Sequence, residues 1–362
     1  NCVNGNLNET NVSILACYFP LYRLLEQIPS LRFFNSSSNS FKELFQLQIT
    51  EPLKEIELSK NIKKLGQIND YISQKVKLQY EENPYPRWTY RNHLINQQES
   101  LAQVINSQIK PNSICCNYGD RDLKVLVAGC GTGHNILSVK DYRNSKITGI
   151  DLSLASLTYA QRKIYELGIN NVELIQLDIL EVGLLKEKFD IIECAGVLHH
   201  MNDPLKGLKA LLGVLKNNGF LKLGLYSELA RLRIIQARNY IARKKLQSNK
   251  NDIRAFRETV FLGKLPELNS LMESRDFYTL SSLRDLCFHT QEHRFTISQL
   301  RENLISHELK FLGFLLPQPI KSLYTNYFPE DITHTNLQNW ATFEEKHPNT
   351  FRGMYQFWVS KN

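Results

Sequence analysis

Long apolar runs are missing from these 362 residues. No stretch reaches the roughly 18–20 residues that a membrane-spanning helix needs. The nearest approach, Ile14 to Tyr22, contains Pro20 and is soon followed by Arg23 and Glu26, so it reads as a core helix and a turn. A basic start with a small-residue cleavage site is also missing, which excludes a recognisable signal peptide and leaves a cytoplasmic location as the expectation. The chain begins at Asn1 rather than Met, as a piece of something longer would. Its seven cysteines form no C-x-x-C pair, and Cys115 and Cys116 are adjacent. That pattern suits neither a zinc knuckle nor a disulfide framework and points to free thiols in a reducing compartment. His199-His200 and His289-x-x-x-His293 lack the H-E-x-x-H context of a metal-binding helix, so no metal is expected. No repeat of fixed period is visible.

What is present is an ordinary apolar fraction and a moderate excess of positive charge, +8. Part of that excess lies in Arg231, Arg233, Arg238, Arg243, Lys244 and Lys245, all within one expected helix. Such a helix serves as a solvated face, or as a surface for an acidic protein or nucleic acid. Residues 1–75 read mostly as helix, broken by the polar run Phe34 to Ser40. Phe41 to Ile49 and Pro52 to Leu65 are two helical candidates there, Pro52 suiting a first turn. These N-terminal helices also offer a homodimer contact.

The densest signal is Val125-Leu126-Val127-Ala128-Gly129-Cys130-Gly131-Thr132-Gly133, followed by the apolar strand Lys146 to Ile150 and then Asp151. Strand, glycine turn, helix, strand, acid is the order of a site for an adenosine carried on a ribose. The glycines allow a tight turn and close approach of the backbone to a ligand, and an acid at the second strand's tip can accept both ribose hydroxyls. The spacing is not the dinucleotide form G-x-G-x-x-G. A third strand, Val172 to Asp178, also ends on an acid. The stretch Phe189 to Met201 is a fourth strand running into a loop and helix, the loop carrying Gly196-Val197-Leu198-His199-His200. Leu208, Leu211, Leu212 and Leu215 then sit at helical spacing before a fifth strand, Phe220 to Leu225.

Residues 120–227 resemble, motif by motif, the class I S-adenosylmethionine-dependent methyltransferases. The resemblance implies an α/β fold, a Rossmann-like seven-stranded sheet with a helical N-terminal region and a helical insertion after the fifth strand. It implies S-adenosylmethionine as cofactor and S-adenosylhomocysteine as product. Gly129, Gly131 and Gly133 would wrap the methionine part, with Cys130 beside them. Asp151 and Leu152 would take the ribose, Asp178 and Ile179 the adenine, and Cys194 and Ala195 would lie alongside after the fourth strand.

The segment Val76 to Trp88 carries Asn83-Pro84-Tyr85-Pro86, and each proline pushes its predecessor toward extended geometry. It is either a rigid linker or a lid over the cofactor. As a lid, Arg87 could meet the cofactor carboxylate and Tyr80 could cap the sulfonium region. After the fifth strand the core pattern stops. Glu228 to Gln247 and Asp252 to Leu262 read as helices, and Ser298 could cap a third. The pattern resumes at Leu309 to Phe314 and closes with Met354 to Lys361, a hairpin split by residues 315–353. The chain thus divides into a helical region 1–75, a lid and entry helix 76–119, a cofactor-binding core 120–227, a helical substrate cap 228–305 and the last two strands, 306–362. Taken together, Gln79 to Trp88, the basic helix and Phe288 to Thr296 resemble bacterial methyltransferases that carry tetratricopeptide repeats, and distantly the rickettsial protein-lysine methyltransferases.

An amine acceptor must lose a proton before in-line methyl transfer, so the site needs a base. Glu193, His199, Tyr85 and His289 are candidates; Glu292, His293, His200 and Tyr226 are preferred. The acceptor is expected to be a protein side chain of the lysine type. The alternatives are a small metabolite or lipid, suggested by the Val197-to-His200 loop, and a silent binding module. Nucleic acid is disfavoured: the fourth strand leads into Glu193-Cys194-Ala195-Gly196, with neither the Asn/Asp-Pro-Pro-aromatic turn of amino methyltransferases nor the Pro-Cys of cytosine C5 enzymes.

Overall fold

A computed structural model describes residues 7–89, 98–116, 122–139 and 142–361. The chain divides into two compact units, Asn1–Ile62 and Lys63–Asn362.

The first unit is helical. Asn8 accepts from Asn11 N to cap the helix Glu9–Tyr18, and Ser38 caps Asn39–Phe45 in the same way. A single π-turn, Gln46–Thr50, leads into Glu51–Leu58 with Pro52 in its first turn. Val12, Leu21, Leu31, Phe41 and Ile49 form its core. The helix expected from Pro52 to Leu65 stops at Leu58. Past it, Lys63 and Lys64 pair with a strand of the second unit's sheet, and ladder hydrogen bonds outweigh local helix preference there.

The second unit is an α/β sheet. Its strands are β1 (Lys63–Lys64), β2 (Leu123–Ala128), β3 (Ser145–Asp151), β4 (Val172–Gln176), β5 (Phe189–Ala195), β6 (Leu215–Leu225), β7 (Leu309–Phe314) and β8 (Tyr355–Lys361). Their order is β1-β4-β3-β2-β5-β6-β8-β7. The pairs are parallel from β1 to β6, and β8 runs antiparallel to both β6 and β7. The sheet therefore has eight strands among the described residues, not the seven expected. The additional one is the exposed two-residue edge β1, which carries no apolar pattern to read. The strand order reverses at β2, which lies between β3 and β5. A crevice opens at the carboxyl ends of the strands at such a switch point.

Helices cover both faces, with starts fixed by local chemistry. Asp70 caps Tyr71–Glu82, Ser153 caps Leu154–Glu166, and Asp203 with Pro204 opens Pro204–Val214. Because Tyr71–Glu82 is helical to its end, Tyr80 sits on a helix and not in the extended segment expected around it. After β6 the chain builds a small body from Leu232–Arg243, Lys250–Phe261 and Leu280–Cys287 around Ile234, Phe256, Val260, Phe277 and Leu283. The helix Ile297–Ser306 is capped by a reciprocal Thr296/Gln299 box, not by Ser298. Helices Gln318–Tyr327 and Leu337–Lys346 separate β7 from β8; Tyr324 and Trp340 stack between them with ring centres 3.7 Å apart. No helix among the described residues is long and apolar enough to cross a membrane.

Candidate active site

A cavity of about 660 Å³ opens where β2, β3 and β5 end. Its floor is backbone. Gly129 N and Cys130 N both donate to Ile150 O, at 2.8 and 2.9 Å, which folds the turn across the tip of β3. Gly129 has φ +70°, and a Cβ there would lie 2.3 Å from Val197 Cγ2. A side chain is excluded on both counts. Gly131 N donates to Asp151 Oδ2 and Ser153 N to Asp151 Oδ1, each at 2.8 Å. Burial raises the Asp151 carboxyl to about 6 against the opposing pull of these two amides.

The second wall comes from the segment before the core. The Glu81 carboxylate accepts from Leu154 N at 2.7 Å and Ala155 N at 3.0 Å, where a helix N-terminus favours negative charge. Thr132 Oγ1 donates to Pro86 O at 2.6 Å, and Trp88 Nε1 donates to Thr132 O at 3.1 Å. The glycine turn and this segment are thereby tied together, with Tyr80, Tyr85 and Pro86 facing the cavity.

The third wall is contributed by the insertion. Tyr80 Oη donates to Asp285 Oδ1 at 2.7 Å and Tyr85 Oη donates to Asp276 Oδ1 at 2.9 Å. Burial lifts the Asp285 carboxyl to about 6, opposed by the Tyr80 hydroxyl and by Arg231. His200 also lines the cavity. Its Nδ1 lies 2.7 Å from Gln291 O, and its ring stacks on His289 at 3.6 Å. Burial pushes the His200 imidazole down to about 4, so it is neutral and Nδ1 is the donor to that carbonyl.

Of the residues singled out from sequence, Gly129, Cys130, Gly131, Asp151, Ala195, Tyr80, Tyr85, His200 and Tyr226 line this one cavity. Others stand outside its lining. A Cβ on Gly133 would lie 2.9 Å from Ala160 Cβ, so this glycine admits the helix Leu154–Glu166 against the turn. The Leu152 carbonyl accepts from Gln176 Nε2. Asp178 caps the turn that starts at Ile179, accepting from Leu180 N, and Ile179 is core. Cys194 is fully buried, its thiol pushed up to about 12 by burial. Arg87 lies over the Tyr159 ring, 5.5 Å from its centre. Glu292 is an ion-pair partner of Arg231 and Arg294 with its side chain wholly buried, and His293 Nε2 is within 3.1 Å of Met201 O. Those two preferred bases are thus turned into the packing and away from the cavity. The basic helix is also less solvated than its sequence suggests: Arg231 is buried and, with Arg233, lines the cavity, while Arg233 and Arg238 donate to Ser270 O and Cys287 O.

Asp276, Asp285 and Glu273 were not singled out, and neither were His134, Asn135 and Ser156, all of which line the cavity. No local motif marks them. The available signal was that the insertion would overhang the carboxyl ends of the strands, which makes any of its acids a candidate.

Residues 119–278 match the family described as a methyltransferase domain. The protein syc1184_c of Synechococcus is 34% identical over 204 residues, covering 53% of this chain and 48% of that one. A ubiquinone biosynthesis O-methyltransferase of Histophilus somni is 37% identical over 109 residues, 28% of this chain and 44% of that one. PKMT2 from Rickettsia typhi, solved in complex with AdoHcy, superposes with a TM-score of 0.54 at 19% identity, over 76% of this chain and 55% of that one. The chain thus spans about half the length of the proteins it matches. The glycine turn at the β2 switch point and the acid ending β3 both fall within the matched stretch, so residues 119–278 carry the fold and strand-end pattern of a methyltransferase domain.

Proposed function

We propose that this chain binds S-adenosylmethionine in the cavity at the strand ends and methylates a protein side-chain nitrogen of the lysine type. The observation that supports the acceptor is the insertion-side wall: Asp276 and Asp285, each holding a tyrosine hydroxyl, beside the ring of Tyr226. The carboxylates favour an ammonium or an amine over a neutral phenol, and they offset Arg231, whose guanidinium covers the Tyr226 ring at 3.8 Å in the same lining. Rickettsia typhi PKMT2, with its related fold, is consistent with this reading.

The floor fits the cofactor. The Gly129–Gly131 turn presents backbone without Cβ, and Asp151 has lone pairs left after accepting two amides. Gly129, Cys130, Gly131, Asp151, Ala195 and Tyr80 are the proposed holding set. When bound, the cofactor supplies a methyl group already activated on a sulfonium. The chain's own task is to position the amine and remove its proton. Asp285, ionised above about 6, is the proposed base, oriented by Tyr80. Tyr85 and Tyr226 wall the acceptor, and residues 228–305 serve as the substrate cap.

The test is a transfer assay with methyl-labelled S-adenosylmethionine, offering polylysine, its fully acetylated form, and small phenols. Label on polylysine but not on the acetylated polymer is the expected result. Label on the phenols alone would replace the protein reading with the metabolite reading.

A further inference from the structure

A second cavity, of about 450 Å³, shares no residue with the first. It is lined by Lys110 to Ser113 after the helix Leu101–Ile109, by Gln318, Lys321 and Thr325 on one face of the helix Gln318–Tyr327, by Asn106, and by His334. Among the described residues the lining holds two lysines and a histidine and no acid.

Lys321 is the informative residue. It is only 6% exposed, yet its Nζ has a neutral partner, donating to Gln108 O at 2.9 Å. An ammonium has three donors, so two are left over. Burial lowers its pKa, and the second cation, Lys110, lowers it further; among the described residues no carboxylate offsets them. A buried cation without a counter-charge is costly, which makes it rare unless something supplies the anion. His334 is equally buried, and its backbone is held in the left-handed region at φ +55°. That conformation is fixed from both sides: His334 N donates to Asp331 O, and Trp340 Nε1 donates to His334 O. Asp331 is the acid whose charge acts on the histidine, but it does not line the cavity, and its oxygens are taken by Tyr324 Oη, Thr335 N and Asn336 N. The wall is therefore preorganised, and no acid among the described lining residues compensates its positive charge.

We propose that this cavity binds a phosphate group, free or carried on a small metabolite, with Lys321 as the buried counter-charge and Lys110 at the rim. Two lysines suit a dianion, and the volume exceeds what phosphate alone fills. The other polar groups offer secondary contacts: the Ser113 hydroxyl and the Gln318 amide are within the same lining.

Calorimetry on the full chain tests this with three probes: inorganic phosphate, glucose 6-phosphate and acetate. Saturable phosphate binding is expected, with acetate at least tenfold weaker. Tighter binding of glucose 6-phosphate than of phosphate would assign the site to an organic phosphate, and the reverse order to the free ion. Lys110→Ala, an exposed position that does not threaten folding, should weaken phosphate roughly tenfold, as loss of one charge-assisted contact does. Lys321→Met should abolish binding and raise the melting temperature without phosphate, because a cation lacking its counter-charge has been removed. Binding that is unchanged in Lys110→Ala, or no saturable binding of either phosphate, would overturn the proposal. So would a Lys321→Met protein that melts lower in phosphate-free buffer while still binding phosphate normally.

Discussion

The floor and the cap-side wall of the first cavity are made by opposite means. The floor is backbone, contiguous in sequence from Gly129 to Ser153, and its one carboxylate is fixed by two amides. The cap-side wall is side chains, and its key pairs span the chain: Tyr80 with Asp285 is 205 residues apart and Tyr85 with Asp276 is 191 apart. A backbone floor tolerates almost no variation and suits a ligand that is the same at every turnover. A side-chain wall can be rewritten one residue at a time, which suits an acceptor that differs between related proteins.

If that division is right, the largest effect belongs to the cap. Asp285→Asn should lower kcat by roughly 100-fold or more, the contribution of a general base, while leaving cofactor affinity within about twofold. The wild-type rate should fall as the pH drops through about 6, where Asp285 takes up a proton, and the variant should lose that acid limb. Stability should move the other way. A carboxyl raised on folding contributes stability that is present below its unfolded value of 3.8 and is lost as the pH rises through about 6. At pH 8 the variant should therefore unfold with a higher free energy, by an order-of-magnitude 2–3 kcal/mol, since its neutral amide avoids the buried charge. A variant with normal kcat would reduce Asp285 to a packing acid and break the contrast.

The floor should respond sterically. Gly129→Ala meets both a left-handed backbone and a Cβ 2.3 Å from Val197 Cγ2. Gly168 has φ +65° and open space around its Cβ, so Gly168→Ala isolates the backbone part. We expect about 1–2 kcal/mol of destabilisation for Gly168→Ala, and about 1–3 kcal/mol more for Gly129→Ala from overpacking. Equal losses in chemical denaturation would show that the turn yields easily. Next in size, Asp151→Ala should weaken S-adenosylmethionine roughly tenfold in calorimetry, the value of a charged hydrogen bond. Unchanged affinity would remove the central support for the cofactor site.

The same contrast decides what could be read from sequence. Glycine turn, acid and strand order are local, so the α/β fold, Asp151 and the Gly129–Gly131 turn follow from spacing alone. The antiparallel β7–β8 pair was legible because both strands are dense in apolar and aromatic residues. The edge strand Lys63–Lys64 was not, since its pairing comes from β4 and its own side chains say nothing. Glu292 looked like a base because it lies between two histidines in sequence. Its orientation was set by Arg231, 61 residues away, and that could not be seen in one dimension. Asp276 and Asp285 became visible only when the insertion was placed against Tyr80 and Tyr85.

The smallest predicted effects fall on two residues that are neighbours but one, Tyr85 and Arg87. Tyr85 faces the cavity, and its hydroxyl donates to Asp276 at 2.9 Å. Arg87 is exposed and stacks on Tyr159, on the side of the helix Leu154–Glu166. Extended backbone points successive odd and even residues to opposite sides, but these two share parity and still separate, because the ties from Thr132 hold Pro86 and Trp88 to the glycine turn. Tyr85→Phe should raise the acceptor KM a few-fold, in line with about 1 kcal/mol for one hydrogen bond, with the melting temperature nearly unchanged. Arg87→Ala should do the converse, leaving KM and cofactor affinity alone and costing about 0.5–1 kcal/mol of stability from the lost cation–π contact. Measured together, the pair separates a wall from a linker within one short segment. If Arg87→Ala weakens the cofactor and Tyr85→Phe changes only stability, the segment has been assigned back to front, and the acceptor wall must be sought on the Tyr226 side alone.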